Sequence, residues 1–338
     1  MSIDRPRVTA VITTYNGADH VPGLCERLAA MPAVDEIVIY DDASSDATPA
    51  LLEDCAARDP RIKLLLASHN KGVAGARNEA LTHCRGEFVW FADPDDLWSP
   101  RVVEVLYQAL VDSGADIAVG RAEQRRPDRE HAAVIDGLDR RATQDRAGTL
   151  ELMLTGAMHG YLWNKLLRRS IIPTSPFPPM RSQSDFVGLL RIVERSGSTV
   201  FVPDLLYTHI ERPGSITRAA EDQVENLRQC AATMESVLAE AGSLKKCAEP
   251  FQYFKVWFFA IPAANTPLRT GASAELARSG IDAALAVVKE LSFRNHIHIA
   301  TSAPRLEVQV MCLLVLRGAY PAAYRAAKAL RARIRAKR

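Results

Sequence analysis

The chain has 338 residues, of which 48% are hydrophobic and 24% charged, and a formal net charge of +2. These values are typical of an ordinary soluble globular protein with one large domain or two modest ones, and we expect no nucleic-acid partner. The first strand is predicted to begin by Arg7, which leaves no room for a signal region, and no uncharged run is long enough to span a membrane. We therefore expect a cytoplasmic protein.

The first half of the chain alternates short apolar strands with helical segments. Strands are predicted near Val8–Thr13, Glu36–Tyr40, Ile62–Ala67, Phe88–Phe91 and Asp116–Val119, and helices near His20–Ala30, Thr48–Arg58, Ala74–Cys84 and Pro100–Ser113. This alternation indicates an α/β fold with a parallel, doubly wound sheet.

The second half is less regular. The charged stretch Arg121–Arg146 has no apolar period, so we expect a surface excursion or mobile loop there. A helix is predicted to start near Ser184-Asp185, followed by a strand at Thr199–Pro203 and a polar loop from Tyr207 to Thr217. Beyond Ala219 the pattern is mainly helical.

Six cysteines lie far apart in the sequence. They are Cys25, Cys55, Cys84, Cys230, Cys247 and Cys312, and they form no C-x-x-C pair and no zinc-type spacing. We expect all of them to be reduced and structural.

An acidic cluster, Asp93-Pro94-Asp95-Asp96, directly follows the apolar run Phe88–Phe91. Crowded carboxylates at the end of a strand repel one another, and a divalent cation that bridges to phosphate oxygens relieves this repulsion. The cluster therefore favours metal-diphosphate chemistry. An acidic β-turn followed by a helix start is the alternative.

Two further polar clusters also follow predicted strands. They are Thr13–Asn16 and Asp41–Asp46. In doubly wound sheets, ligands bind beyond the carboxyl ends of the strands. We therefore expect all three clusters to converge on one edge of the sheet.

These clusters, in this order, resemble the family-2 glycosyltransferases, whose Rossmann-like nucleotide-sugar-binding domain is called GT-A. The resemblance covers about Arg7 to Arg218, and the ordered set of motifs carries it. The matching segments are Val11–Gly17, Ile39–Thr48, Asn70–Asn78, Gly86–Asp96, Asn164–Leu166 and Arg212–Thr217.

The resemblance implies a nucleotide site. Thr14, Tyr15 and Asp42 would hold the nucleobase, and a carboxylate that accepts from a uracil-type N–H favours a UDP-sugar. The alternative for Asp42 is a cap of the following helix. Arg77, at a small-residue turn into a helix, would reach the base or the diphosphate, unless it is a solvated helix residue.

The resemblance also implies the metal and the catalytic base. Asp93 would contact the ribose and the metal shell, Asp95 would coordinate Mg²⁺ or Mn²⁺, and Asp96 would support them. The family places its base as the Asp of a Glu-Asp pair, which here reads Ser184-Asp185. Asp185 is thus the predicted base, with helix capping as its alternative, and the missing Glu leaves room for a binding-only protein.

Three further residues are candidates for ligand contact. His209 would be a metal ligand or a phosphate donor. Trp163 would form an aromatic wall against a sugar ring, as a contact for the acceptor or phosphate, although a buried structural role is equally compatible with the sequence. Arg212 would contact the phosphates or the acceptor.

The C-terminal region, residues 219–338, has two notable features. Phe251–Phe259 is rich in aromatic residues, and we expect it to pack against the catalytic domain or a second subunit, which would make a homo-oligomer. From Arg317 to Arg338 there are eight Lys or Arg residues and no acid. Such an arm is typical of peripheral attachment to an anionic polymer or the inner face of the membrane, or of a solvated terminal helix.

The sequence therefore predicts a metal-dependent, inverting glycosyltransferase, a hexosyl- or N-acetylhexosaminyl-transferase, with a GT-A catalytic domain at 1–218. The resemblance implies a glycan, lipid-linked or anionic-polymer acceptor, for example a cell-envelope glycan or a polyol-phosphate polymer. A nucleotidyltransferase is one alternative, although the Gly-rich basic loop after its first strand is missing at Thr13–Gly17. A non-catalytic sugar-nucleotide or glycan-binding protein is the other.

Overall fold

The computed structural model describes residues 7–126, 131–211 and 220–335, with the backbone alone for 220–223 and 330–335. The chain divides into two compact units, Met1–Pro213 and Gly214–Arg338. The first unit is α/β and the second is helical.

The first unit is built on a ten-stranded mixed sheet. Its strands are β1 Val8–Thr14, β2 Glu36–Asp41, β3 Ile62–Leu66, β4 Phe88–Ala92, β5 Leu97–Trp98, β6 Ile117–Arg125, β7 Ala133–Asp136, β8 Ala142–Asp145, β9 Lys165–Arg168 and β10 Ser198–Ile210. Its helices are α1 Val21–Ala29, α2 Thr48–Arg58, α3 Gly72–Thr82, α4 Val102–Ser113, α5 Arg146–Thr155 and α6 Ser184–Val193.

The strand order is β3-β2-β1-β4-β9-β6-β10-β5, with β7 beside β6 and β8 beside β10. The pairs β3-β2, β2-β1, β1-β4 and β6-β10 are parallel, as expected for crossover connections through helices. Strand β9 lies antiparallel between β4 and β6, so the prediction of a wholly parallel sheet was too simple. The four predicted strands β1 to β4 and the helices α1 to α4 are present within two residues of their predicted ends.

Two stretches that we predicted to be loops contain strands. Residues 121–146 include the end of β6, the antiparallel strands β7 and β8 and the start of α5. Strand β10 continues through Tyr207 to Ile210, so the predicted polar loop begins later than expected. Pairing with neighbours that are remote in sequence stabilises these strands, and no local apolar period was needed to specify them.

The core of the first unit fills the face of the sheet that carries α1 and α4. Leu24 and Leu28 of α1 pack with Val103 and Leu106 of α4 against Trp90, and all five are fully buried. Burying such side chains contributes about 1.5–3 kcal/mol each. This packing fixes β1 and β4, whose ends carry two of the polar clusters.

The prediction that all cysteines are reduced is wrong for one pair. Cys25 of α1 and Cys55 of α2 form a disulfide, with their Cα atoms 6.0 Å apart. The two residues are 30 positions apart in sequence, and only the packing of the two helices brings them together. Within the described residues, Cys84, Cys230, Cys247 and Cys312 form no disulfide.

The second unit contains helices connected by short turns. They are α7 Ala220–Glu240, α8 Ala248–Phe254, α9 Ile261–Thr270, α10 Ala274–Lys289, α11 Phe293–Ser302, α12 Pro304–Leu316 and α13 Tyr320–Arg335, with a π-helical turn at Lys255–Ala260 between α8 and α9. In the aromatic segment, Phe254 and Phe258 are buried and stack with ring centroids 4.6 Å apart, so much of this aromatic surface is covered by its own neighbours.

One helical stretch in the described part of the chain, Pro304–Ala329, is long and apolar enough to cross a membrane, and 17% of its most apolar window is buried. Length and composition alone are weak grounds for a membrane span, because core helices of soluble proteins also meet this criterion. Charged residues such as Arg317 interrupt this stretch, so it is not an uncharged run in the sequence.

Candidate active site

The loops after β1 and β2 are joined by hydrogen bonds from Asn16. Its backbone N–H donates to Ser44 Oγ at 2.8 Å, and its Oδ1 accepts from the Ser45 N–H at 2.8 Å. Asn16 has a φ of 48°, a left-handed conformation that Asn tolerates better than most residues. Beside this link, Thr14 is buried and the Tyr15 ring is 53% exposed. The exposed ring is available for stacking on a planar ligand.

Asp42 lies at the end of β2 and is 3% exposed. Its Oδ1 accepts from the backbone N–H of Lys71 at 2.8 Å, which ties the β2 end to the turn before α3. The start of α2 is instead served by Asp46, whose Oδ1 accepts from the Thr48 N–H at 3.0 Å. The carboxylate of Asp42 therefore does not cap α2, and within the described residues its hydrogen bond to a backbone N–H is made through Oδ1.

Arg77 belongs to α3 and is 9% exposed, so it is not a solvated surface residue. Its guanidinium donates to Asp93 Oδ1 at 3.1 Å, across the gap between α3 and the end of β4. Burial raises the pKa of Asp93 to about 6; the Arg77 charge opposes this rise, and Asp95 and Asp96 add to it. Two of the predicted nucleotide-binding residues are thus in direct contact.

Asp96 is 1% exposed and is held by three groups of β10. The Tyr207 hydroxyl donates to its Oδ2 at 3.0 Å, the Ile210 N–H to its Oδ1 at 2.8 Å, and His209 Nδ1 lies 3.1 Å from both oxygens. The Tyr207 oxygen also accepts from the Asp93 N–H at 3.2 Å. Asp96 therefore anchors the acidic cluster to β10.

His209 is oriented through this same carboxylate. Because Nδ1 faces Asp96, Nε2 is the ring nitrogen left for another partner, an arrangement common in metal-ligating histidines. Burial acts to lower the pKa of His209, but the Asp96 hydrogen bond and the charges of the acidic cluster outweigh it and raise the pKa.

Among the described residues, no group of three or more His, Cys, Asp or Glu side chains is placed to hold a metal ion. The acidic cluster nevertheless supplies the carboxylate oxygens that a hard cation prefers. Burial, and after it the charges of Asp96 and Asp95, raise the pKa of Asp93, and His209 Nδ1 lies 3.1 Å from the Asp96 oxygens.

Asp185 is the second residue of α6, after Gln183, which has a φ of 68°. Its Oδ1 accepts from the adjacent Phe186 N–H at 2.8 Å. Burial raises the pKa of Asp185; the charges of Arg77 and Lys165 oppose the rise without cancelling it. A carboxylate with a raised pKa near two cations is suited to accept a proton.

The placement of α6 depends on α3. Asn78, the residue after Arg77, donates from Nδ2 to the Phe177 carbonyl at 2.7 Å and accepts from the Phe177 N–H at 3.1 Å. The Phe177 ring lies so close to Gly188 of α6 that a Cβ at that position would clash with it. The predicted base is thus positioned through the helix that carries Arg77.

Trp163 is only 5% exposed and stacks on Tyr207 at 4.3 Å and on Tyr161 at 4.7 Å between ring centroids. Trp163, which we predicted to form an aromatic wall against a sugar, is therefore buried, and it packs against the Tyr207 ring. Arg212 lies outside the described residues.

Sequence reasoning missed two groups. The first is Tyr207. It is two residues before His209, and residues two apart in a strand lie on the same face of the sheet, so the spacing could have indicated it. The second group centres on Asp136, which accepts from Lys165 Nζ at 2.6 Å, Asn164 Nδ2 at 3.1 Å and the N–H groups of His159 and Gly137. Asp136 and Lys165 are both buried, and Asp136 belongs to the stretch 121–146 that we predicted to be a surface excursion.

An open cavity of about 350 Å³ adjoins the acidic cluster. Its lining comprises Asp19, His20, Gly23, Arg27, Pro94, Asp95, Leu97 and Ile210. Space therefore exists beside Asp95 for a polar ligand.

Residues 9–172 match the family described as Glycosyl transferase family 2. The chain contains a family-2 glycosyltransferase domain. The matched range includes β1 to β9, and with them the ends of β1, β2 and β4 where the nucleotide-binding candidates lie. The resemblance drawn from the motifs is confirmed.

Two curated relatives and one solved structure show how far the similarity extends. The chain is 38% identical over 120 residues to the succinoglycan biosynthesis protein ExoO of Rhizobium meliloti, and 27% identical over 187 residues to the putative glycosyltransferase EpsH of Bacillus subtilis. These matches cover 35% and 55% of this chain, and 34% and 54% of those proteins, so the chain spans about a third to a half of these relatives.

The structure of S. aureus TarS 1-349 in complex with UDP-GlcNAc superposes with a TM-score of 0.67 at 18% identity. The match covers 94% of this chain and 89% of that one. At this identity the likeness shows the fold, and it confirms the GT-A assignment with a helical C-terminal region.

Proposed function

We propose that this family-2 glycosyltransferase transfers a sugar from a UDP-sugar to a hydroxyl group with inversion, using Mg²⁺ or Mn²⁺. The contact that carries the proposal is the ion pair of Arg77 with Asp93, since it joins the nucleotide side of the site to the acidic cluster. The catalytic domain would be residues 1–218, and 219–338 a helical C-terminal region. The family and the TarS fold support this assignment.

The donor would lie across the ends of β1, β2 and β4. The Tyr15 ring would stack on the base, the carboxylate of Asp42 would accept the imide N–H, and Thr14 would line the same edge. Arg77 would donate hydrogen bonds to the diphosphate as well as to Asp93. Asp93, Asp95 and His209 would hold the cation, which stabilises negative charge on the departing diphosphate.

In the reaction, the acceptor oxygen forms a bond to the anomeric carbon as the bond from that carbon to the diphosphate oxygen breaks. Asp185 takes the proton of the acceptor hydroxyl, and UDP departs with the electron pair of the broken bond. A positioned base of this kind contributes about 10²–10⁴-fold to the rate. Attack from the face opposite the leaving group inverts the configuration.

The acceptor class follows from the relatives. ExoO is named for succinoglycan biosynthesis, and the TarS structure contains UDP-GlcNAc, so a hexosyl or N-acetylhexosaminyl transfer to a cell-envelope glycan or an anionic polyol-phosphate polymer is the proposed activity. The enzyme would act in the cytoplasm at the inner face of the membrane, with the basic arm from Arg317 as the attachment.

Titration calorimetry of UDP tests the donor and the metal together. We expect binding with Mn²⁺ that weakens strongly in chelator, and loss of this metal effect in Asp95→Asn. The control is Asp139→Asn, an exposed acid of the same unit, which should behave as wild type. Equal UDP affinity with and without a divalent cation would contradict the assignment of Asp95.

A turnover measurement distinguishes an enzyme from a binding-only protein. The latter is the alternative that arises because Ser184 stands where the family has Glu. Asp185→Asn should retain UDP-sugar binding and lose about 10²-fold or more in the release of UDP. Asp145→Asn, which removes a helix-start carboxylate at α5, is the matched control. No UDP release by the wild type with any acceptor or water would favour the binding-only protein.

A further inference from the structure

Helix α12 is apolar on two opposite faces. Val310 and Leu313 are fully buried and pack with Ile299 of α11 in the core of the second unit. Val308 and Val315, on the other side, are 61% and 72% exposed. A helix at the surface of a soluble unit needs one apolar face, and a helix that is apolar all round is typical of burial in protein or lipid.

The exposed side chains form an extended apolar surface with α11. Phe293 and Ile297 of α11 are 79% and 49% exposed, and Met311 of α12 is 45% exposed. A hydrogen-bond contact of 2.7 Å between His296 Nδ1 and Glu307 Oε1 ties the two helices together one residue before Ile297 and Val308. We call Phe293, Ile297, Val308, Met311 and Val315 the apolar face.

An open groove of about 370 Å³ runs along the same side of α12. It is lined by Glu307, Val308, Met311, Cys312, Val315 and Leu316, so Glu307 is its one charged lining residue, and that side chain is engaged by His296. Contiguous apolar surfaces of this kind on a soluble unit mark sites that bind protein or membrane.

The charge of the adjacent helix α13 favours a membrane over a protein as the binding partner. From Arg317 onward the sequence carries eight basic residues and no acid, and Arg325 and Lys328 of α13 are exposed. An apolar face next to a purely basic helix matches the two layers of an anionic bilayer surface, acyl chains below phosphate headgroups. Another copy of this chain would bring its own basic helix to the interface and repel the first.

We propose that the apolar face of α11 and α12 inserts into the surface of an anionic lipid bilayer while α13 lies on its headgroups. The basic arm alone would give attachment that salt abolishes; the apolar face adds a component that salt does not screen. This inference rests on the proposed membrane association and adds the surface that makes it.

Flotation of the full-length protein with vesicles tests the proposal. Vesicles of phosphatidylglycerol and phosphatidylcholine are compared with phosphatidylcholine alone. The double variant Val308→Ser/Val315→Ser should lower binding to the anionic vesicles by about tenfold or more, because two exposed apolar side chains no longer enter lipid. The matched control Val111→Ser/Val134→Ser, at positions 57% and 51% exposed in the first unit, should bind as wild type.

Quenching of tryptophan fluorescence tests directly whether the apolar face enters the bilayer. In Val308→Trp, bromine-labelled lipids should quench more fluorescence than in wild type, and Val111→Trp should show no such increase. UDP binding and UDP-sugar hydrolysis should be unchanged in all of these variants, so a failure of the membrane surface is distinguishable from a failure of the proposed enzyme.

Three outcomes would overturn the proposal. Equal vesicle binding by wild type and Val308→Ser/Val315→Ser would show that the face does not enter lipid. Conversion of a dimer to a monomer by this variant, without loss of vesicle binding, would make the face a contact between copies. Retention of the protein in membranes after an alkaline carbonate wash would indicate a spanning helix instead.

Discussion

Tyr207 donates a hydrogen bond of 3.0 Å to Asp96, a residue 111 positions earlier in the chain. The same hydroxyl accepts from the Asp93 N–H, so a single side chain of β10 fixes both ends of the acidic cluster. Trp163 packs on the Tyr207 ring and holds it in place. The arrangement of the acidic cluster therefore depends on a side chain of a different strand.

Tyr207→Phe should disturb this arrangement. The buried Asp96 carboxylate would lose one of its donors and the Asp93 N–H its acceptor, a cost of about 1–3 kcal/mol in the free energy of unfolding. We also expect weaker metal-dependent UDP binding. Urea denaturation and calorimetry measure the two effects, with Tyr107→Phe in α4 as the control. Unchanged UDP binding in a destabilised Tyr207→Phe protein would limit Tyr207 to a packing role.

Asp42→Asn tests the nucleobase contact. The amide oxygen still accepts from the Lys71 N–H, so thermal stability should change little, while loss of the charge should weaken UDP binding by about tenfold or more. Asp46→Asn, at the start of α2, should instead leave UDP binding unchanged. If the two variants bind UDP equally well, Asp42 does not contact the base.

The rate should depend on pH through Asp185. Because burial raises the pKa of this carboxyl, turnover at saturating donor should fall on the acid side at a pH above the ordinary range of an aspartate. Arg77→Met removes a charge that lowers this pKa, so the acid limb should move to higher pH. A limb that stays in place or moves to lower pH would show that another group is titrating.

The raised pKa of Asp185 also makes the free energy of unfolding depend on pH. The folded protein binds the Asp185 proton more tightly than the unfolded chain does, so the contribution of Asp185 to stability falls as the pH rises from its unfolded pKa through its folded pKa. In Asp185→Asn this fall should disappear, which denaturation at several pH values would detect.

The buried pair of Lys165 and Asp136 should be sensitive to the loss of one partner. Lys165→Met should lower the free energy of unfolding by about 3–5 kcal/mol, because it leaves the Asp136 carboxylate buried without its counter-charge. The double variant Lys165→Met/Asp136→Asn should be more stable than the single one. A double variant less stable than Lys165→Met would mean that Asp136 acts mainly as a hydrogen-bond acceptor for the N–H groups of His159 and Gly137.

The sequence by itself determined the alternation of strands and helices in the first half, because apolar runs and helix-start residues are local signals. It also determined the family, since motifs such as Asn70–Asn78 and Gly86–Asp96 keep their order along the chain. From these followed the expectation that Asp42 and Asp93 lie at one edge of the sheet, and the structure places them there.

Only the tertiary structure decided which partner each side chain meets. Arg77 meets Asp93, Tyr207 meets Asp96, and Cys25 meets Cys55, all across separations that no local pattern encodes. It also showed that Trp163 is buried and that residues 121–146 contain strands. Burial and hydrogen bonding are properties of the packed chain, because they depend on neighbours that are brought together only when the sheet and its helices assemble.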